Sequence, residues 1–404
     1  MPRAGWRKPE NAERLSDHIS IGVLTHVYPP ALVDAAIAET GRHEQRHRLL
    51  PARVLVYYVL AMALFSQDAY EEVMRRLVDG LSWLAAWQTR WTVPTKAAIF
   101  KGRARLGVAP LMALFRAAVK PLGLPGSRGV WYRQWRLMSI DGSTLDVADT
   151  LENDAHFGRP GHSRGGERSA FPQLRLAALA ENGTHAIVDA AIGPYKASEQ
   201  QLTRQLLSSL QAGMLCLADR GFYSFALWQE AQGTGADLLW RVAKGLVFSV
   251  LQELPDGSYL SRVYASDYDR LHDRHGSAIR VIEYTLEDPG QPQTEAVYRL
   301  ITTILDPAAA PAAELAALYC ERWEVETALD ELKTHQRGPR VVLRSKTPEG
   351  VLQEMYGYLL THYAIRALMH EAAVQVDEDP DRLSFARSLR VVRRNIDGTK
   401  SFSP

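Results

Sequence analysis

Between residues 136 and 219 the sequence changes period repeatedly, and the order of its segments leaves few folds open. Arg136-Leu137-Met138-Ser139-Ile140 is an apolar run that leads into Asp141-Gly142-Ser143-Thr144 and then Leu145-Asp146-Val147. Phe171 to Ala180 and His185 to Gly193 are two more strand-like runs, joined by Glu181-Asn182-Gly183-Thr184. An Asn-Gly between such runs is a strong hairpin signal. Glu199 to Leu210 is helical in pattern, and Met214 to Ala218 is a short apolar strand that stops at Asp219. The order predicts a meander of three strands whose fourth neighbour arrives through a helical crossover. Asp141 and Asp219 each end a strand on this reading. If those strands are neighbours, the two carboxylates converge at one edge, where open α/β sheets bind their ligands. Converging carboxylates repel, and a divalent cation removes that cost. Hard oxygen ligands of this kind suit Mg²⁺ or Mn²⁺. Taken singly, Asp141-Gly142 reads as a turn and Asp219-Arg220 as a surface ion pair; only their matched positions after apolar strands point to chemistry.

This is the segment order of a ribonuclease H-like α/β fold. The rest of the 404 residues fits around it. From Ala31 to about Arg116 the pattern is helical, with Asp68 and Glu71 as a capping pair before a helix Glu71 to Leu81. Pro94-Thr95 opens another, Lys96 to Leu106, whose exposed side carries Lys101, Arg103 and Arg105. Leu122 to Gly129 reads as a linker. Lys244 to Val297 holds strand-like Val247 to Leu251, Tyr259 to Tyr264 and Ile279 to Leu286, with turns at Pro255-Asp256-Gly257 and Asp288-Pro289-Gly290. It reads as a β-rich insertion; a plain hairpin extension of the sheet is the alternative.

The net charge of +1 conceals a segregated distribution. No acid occurs between Asp79 and Asp141, a stretch with ten basic residues, and Lys333, Arg337, Arg340, Arg344 and Lys346 lie in a second acid-free run. Arg382, Arg387, Arg390, Arg393, Arg394 and Lys400 form a third zone. Any one zone reads as a solvated face; three suit a polyphosphate partner, since each neutralised phosphate releases a counterion. Two cysteines, Cys216 and Cys320, exclude a disulfide framework and a cysteine-rich zinc module. The longest apolar run, Val54 to Phe65, is 12 residues, too short for a membrane span, and no apolar signal core follows the charged N-terminus. A reducing, cytoplasmic setting and no membrane are therefore expected.

Pro311 to His335 reads as one long helix. With Tyr319 at zero and about 100° per residue, Glu326 falls at about −20°, Lys333 at about −40° and Arg322 at about −60°. Leu318, Val325, Leu329 and Leu332 form the adjoining apolar stripe at about −80° to −140°. The helix is expected to dock by the apolar stripe and present the polar one at the edge of the dock. Glu326 can then join Asp141 and Asp219 as a third carboxylate. Arg322 and Lys333 are placed to grip phosphate, and Tyr319 to stack or donate a hydrogen bond. A surface helix with ordinary charge pairs is the alternative, and it leaves unexplained why a Tyr and an Arg border the apolar stripe.

The spacing Tyr319-x2-Arg322-x3-Glu326-x6-Lys333 resembles the signature of the insertion-sequence-four family of DDE transposases. Ser139 to Thr144 resembles the segment around that family's first catalytic aspartate, and Leu217-Ala218-Asp219-Arg220-Gly221-Phe222-Tyr223 the second. Ala170 to Arg175 and Leu300 to Thr303 resemble strands of the same core. The resemblance implies a helical N-terminal DNA-binding domain over 1–121 and a ribonuclease H-like core over 130–243 and 298–375. It also implies a β-rich insertion at 244–297 and a basic C-terminal tail at 376–404, shorter than the family's usual extension. Asp141, Asp219 and Glu326 would hold two Mg²⁺ or Mn²⁺ ions about the scissile phosphate. Tyr319, Arg322 and Lys333 would contact the transferred end. A hairpin step would flip a base onto an aromatic, with Tyr298 and Trp240 as candidates and Trp240 also reading as core. The partners implied are transposon-end and target DNA, with a homodimer holding two ends near the nucleoid. A metal-dependent nuclease without strand transfer, an inactive DNA-binding remnant and a helical interaction protein are the competing readings.

Overall fold

The computed structural model describes residues 22–44, 50–82, 93–161, 170–285, 297–339 and 341–394. Six helices come first: α1 (Val23–Val27), α2 (Pro30–Glu39), α3 (Ala52–Leu64), α4 (Tyr70–Ser82), α5 (Lys96–Leu106) and α6 (Ala109–Ala118). β1 (Trp131–Tyr132), β2 (Trp135–Asp146), α7 (Leu151–Phe157), β3 (Gln173–Glu181) and β4 (Ala186–Pro194) follow. Next are α8 (Glu199–Leu206), β5 (Met214–Ala218), α9 (Phe225–Gln232), β6 (Asp237–Arg241), β7 (Gln252–Glu253), β8 (Tyr259–Val263) and α10 (Asp267–Leu271). β9 (Ser277–Tyr284), β10 (Tyr298–Thr302), α11 (Ala312–Leu318), α12 (Trp323–Asp330), α13 (Pro348–Gln375) and α14 (Phe385–Arg394) complete the chain. These elements divide into two compact units, one of residues 1–122, 145–174 and 329–404, the other of 123–144 and 175–328.

The first unit is built on α3, which is apolar on every side and buried from Val54 to Leu64. A helix without a polar face must be surrounded, and α13 packs along it. The arginines of the acid-free zones are partly consumed here. Arg103, expected on the exposed side of α5, is 5% exposed. Its guanidinium donates to Gln353 Oε1 at 3.1 Å, Ser345 Oγ at 3.1 Å and the Gly350 carbonyl at 3.0 Å. α5 is thereby fastened to the start of α13, and a buried cation is kept satisfied. The expected capping pair is also corrected. Asp68 pairs with Arg76 at 2.7 Å, while Glu71 Oε1, in α4, accepts from the Lys96 amide at the start of α5 at 3.0 Å. The cap role of Thr95 holds: its hydroxyl accepts from the Ala98 amide.

The second unit contains one mixed sheet in the order β4-β3-β2-β5-β6-β10-β9-β8-β7. The three-strand meander and the helical crossover to β5 are as the sequence predicts. Alternation along the strands gives the sheet two faces. Met138, Ile140, Cys216, Ala218, Leu238 and Trp240 face a cluster with Leu227 and Trp228 of α9. Leu137, Leu215, Leu217, Leu239 and Leu300 face another with Leu315 and Tyr319. Three expectations change here. Asp141 does not end its strand, because β2 runs on to Asp146; only its pairing with β5 stops, at Ile140 opposite Ala218. Val247 to Leu251 is not a strand, and the β-rich insertion simply continues the core sheet as β9, β8 and β7. The Asp288-Pro289-Gly290 turn lies outside the described residues.

Leu122 to Gly129 is not a free linker either. The Gly123 amide donates to buried Glu181 Oε2 at 2.9 Å, and Glu181 also pairs with Arg136 and accepts from Thr184 Oγ1. Gly129 passes directly over Gly183, both at positive φ. A Cβ on Gly183 would lie 2.5 Å from the Gly129 carbonyl carbon and 2.8 Å from the Val130 amide nitrogen. Backbone on both sides cannot give way as a side chain would. Gly183→Ala is therefore expected to cost roughly 2–4 kcal/mol. Denaturant melts should show the loss; a change within about 0.5 kcal/mol would mean that the turn does not fix the segment.

Candidate active site

Sheet register and alternation place the site. One step past the last β2–β5 pair, Ile140 with Ala218, stand Asp141, within β2, and Asp219, the residue after β5. Asp141 shares its face with Leu137, and Asp219 shares its face with Leu215 and Leu217. Both aspartates thus rise on the face covered by Leu315 and Tyr319, at strand separation of about 4.8 Å. In the next strands Arg241 lies level with Leu300, and Tyr298 follows two residues away on the same face.

Glu326 is brought in by α12. The run from Pro311 to His335 is not one regular helix: Tyr319–Arg322 is a 3₁₀ turn and Glu331–Gln336 a π-helical segment. The uniform wheel therefore fails beyond Asp330. The π segment opens on a buried contact: the Glu331 carboxylate accepts from Arg366 Nε at 2.9 Å and lies 3.1 Å from His362 Nε2. Lys333 sits half-buried in that segment, which belongs to the first unit. Tyr319, Arg322 and Glu326 remain together in the second. The hairpin turn clamps this helix. Ser139 Oγ donates to Asn182 Oδ1 at 2.8 Å, Asn182 Nδ2 donates to the Glu321 carbonyl at 2.8 Å, and the Gly183 amide donates to the Glu324 carboxylate. The strand that carries Asp141 is thereby tied to the helix that carries Glu326.

Arg322 is the electrostatic hub. It is 5% exposed, and its Nη2 donates to Glu326 Oε1 at 2.9 Å. Its Nε is buried without a hydrogen-bond partner. Its charge is felt by Asp141, and it feels Asp219 in turn. Burial pushes the Asp141 carboxyl up to about 6, the Gly142 amide opposes this, and the charge on Glu326 adds to it. Asp219 Oδ1 is buried without a hydrogen-bond partner and lies 3.6 Å from Arg241 Nη1. The three carboxylates are not drawn within 4.8 Å of one another. They share one face around a guanidinium. Tyr319 is buried, and its hydroxyl donates to the Ala218 carbonyl, the residue before Asp219, at 3.3 Å. It braces the site from within. Trp240 is fully buried against Trp228, a core aromatic. Tyr298 is half-buried, with Tyr284 stacked at 5.5 Å and the Arg241 guanidinium 4.7 Å from its centroid.

Three residues escaped the sequence reading. Glu199, first in α8 behind the Ser198 cap, lies over Gly142: a Cβ there would meet Glu199 Oε1 at 2.9 Å, and its charge also raises Asp141. Arg241 was legible from alternation along Leu238 to Val242. Trp323 is 60% exposed beside Arg322, whose guanidinium lies 4.8 Å from the ring. At about +40° on the same wheel it borders the polar stripe and could have been named there.

Residues 18–116 match the family model described as insertion element 4 transposase N-terminal, and residues 134–363 match the transposase DDE domain. The chain belongs to the insertion-sequence-four family of DDE transposases. It is 28% identical over 387 residues to transposase InsG for insertion sequence element IS4 of Escherichia coli K12, covering 93% of this chain and 83% of that protein. It is 25% identical over 232 residues to the putative transposase InsZ of the same organism, covering 57% and 71%. A solved structure titled as a cryo-EM piggyBac transposase synaptic complex with hairpin DNA overlaps 94% of the chain and 80% of its own, at TM-score 0.48 and 8% identity. The transposase is thus an enzyme of DNA cleavage and strand transfer, acting on DNA and dependent on a divalent metal, with a ribonuclease H-like core. Its donors fit such an ion: oxygen ligands only, one of them an orphaned Asp219 oxygen, another on a carboxyl whose charged form is undersupported. Among the described residues no helix is long and apolar enough to cross a membrane.

Proposed function

We propose that the transposase excises its element by cut and paste through hairpin-ended DNA, with two Mg²⁺ or Mn²⁺ ions held by Asp141, Asp219 and Glu326. The observation that carries this reading is the common sheet face shared by the two aspartates, under a helix that presents Glu326 and Arg322 to it. Such ions neutralise charge on the scissile phosphate and acidify a bound water. Asp141 and Asp219 keep their spacing because adjacent parallel strands fix it. Glu326 keeps its orientation because Arg322 holds one of its oxygens, and its neighbours Glu321 and Glu324 are clamped by the Asn182-Gly183 turn. The unpaired Arg322 Nε is a donor for a phosphate oxygen. Tyr319 serves both by bracing Ala218.

No protein nucleophile is required. Water cuts the first strand and leaves a 3′-hydroxyl; that oxygen attacks the phosphate opposite, its P–O bond forms, and the bond to the flanking strand breaks. A second water reopens the hairpin and restores the 3′-hydroxyl, which then attacks a target phosphate; the new P–O bond forms as the bond to the target's own 3′-oxygen breaks. The hairpin bend unstacks a terminal base. Tyr298 is one platform for that base, although its ring is already flanked by Tyr284 and Arg241. The open indole of Trp323 is the other. Joining two ends at one target calls for two sites, hence a homodimer on the DNA.

A time course on end-labelled donor DNA with Mg²⁺ is expected to give nicked, hairpin-ended, reopened and joined products in that order. Trp323→Ala should slow the nick-to-hairpin step about 10–100-fold, since stacking contributes about 1–3 kcal/mol per base. Open ends formed with no hairpin species at any time would overturn the hairpin route.

A further inference from the structure

α14 has two sides of opposite character. Phe385, Leu389 and Val392 are buried, and Arg393 is fastened inward, its guanidinium donating to the Leu64 and Gln336 carbonyls at 2.7 and 3.1 Å. Arg387, Arg390, Val391 and Arg394 are exposed. These positions recur at i, i+3, i+4 and i+7, so they form one outward stripe. The helix contains no acid. Among the described residues no carboxylate pairs with Arg387, Arg390 or Arg394, whereas the neighbouring Arg382 is paired with Glu378 at 3.1 Å. Three guanidinium groups are thus held on one face, on a helix anchored along its inner side to α13 and to the π segment that contains Lys333.

Like charges gathered without counter-charges repel one another, and a bound polyanion relieves that repulsion. Arg387 and Arg394 are separated by about 10.5 Å along the helix axis, the run of roughly three phosphates of one strand at about 3.4 Å each. The stripe carries three guanidinium groups and a valine, with no Asn or Gln among them, and its charge is matched by phosphate oxygens, which every duplex presents alike. A grip on phosphate carries no sequence information. Transposon ends present one fixed sequence, while the DNA that receives the element does not. We propose that the outer face of α14 is a docking surface for the target duplex, holding its phosphates through Arg387, Arg390 and Arg394. The proposal rests on the cut-and-paste reading, in which a separate target duplex must be captured.

The test uses the full chain with Arg387→Gln, Arg390→Gln and Arg394→Gln combined, and a second triple variant with Lys at the same positions. Binding of a random-sequence duplex is followed against salt, and cleavage of element ends and joining into plasmid are scored separately. The Gln variant should bind random duplex about 10–100-fold more weakly at low salt, with the log–log salt slope reduced by about 2–3. Joining should fall at least tenfold while end cleavage and melting temperature stay unchanged, and the Lys variant should recover most of the slope. Unchanged affinity for random duplex, or end cleavage lost in step with joining, would overturn the assignment. Failure of the hairpin route would appear in the wild-type products and leave the duplex-binding comparison standing.

Discussion

Asp141→Asn is expected to abolish end cleavage, by at least about 10³-fold, and at the same time to stabilise the metal-free protein. The two effects share one cause. Burial holds the Asp141 carboxyl at about 6, with Glu326 adding repulsion, against a usual value of 3.8. A folded-state value above the unfolded one means that the charged form costs stability. That cost is fully present above about pH 6, shrinks as pH falls through 6, and is gone below about 4. Asn removes it, for a gain of about 1–3 kcal/mol at pH 8, or a few degrees of melting temperature. A divalent ion removes the same cost in the wild type. Melting temperatures with and without Mg²⁺ at pH 8 and pH 5 check this. Wild type should gain from Mg²⁺ at pH 8 and much less at pH 5. Asp141→Asn should be the more stable protein without metal and should gain little with it. A variant that melts lower at pH 8, or one that still gains as much from Mg²⁺ as wild type, would place Asp141 outside the ion site.

What could be read in advance follows from where periodicity carries information. Asp141 and Asp219 are legible because each follows an apolar run, and alternation along those runs gives them a common face. The hairpin at Asn182-Gly183 was legible from turn chemistry, but its second duty was not: that Asn182 and Gly183 hold Glu321 and Glu324 depends on contacts about 140 residues away in the chain. The signature helix shows the limit of a wheel. Its angles assume 3.6 residues per turn, and the π segment that begins at Glu331, beside a buried ion pair, breaks the phase before Lys333. Charge runs misled in the same way. Arg103 and Arg393 belong to basic zones yet are spent on carbonyls and amides inside the fold, whereas Arg387, Arg390 and Arg394 are not. Composition marks where cations are plentiful, and only packing distinguishes those left for a ligand.

Arg322→Ala is expected to separate the chemical steps. First-strand nicking should fall about tenfold or less, while hairpin formation and strand joining fall about 10²–10³-fold, the loss of about 2.7–4 kcal/mol of transition-state stabilisation. In nicking the nucleophile is water, which needs no positioning beyond the site itself. In the later steps the nucleophile is a DNA 3′-hydroxyl, and its strand must be held while another phosphate enters. A buried guanidinium with an unused Nε among three carboxylates is suited to that grip. The same substitution frees Glu326 Oε1 from its hydrogen bond at 2.9 Å, which accounts for the smaller loss in nicking. Arg322→Lys keeps the charge and discards the planar fork, so it should restore nicking and leave joining impaired. The rates of nicking, hairpin formation and joining, measured separately on pre-nicked and precut DNA, distinguish the outcomes. Equal losses at every step, with full rescue by Lys, would reduce Arg322 to a counter-charge for Glu326 and remove it from contact with the transferred strand.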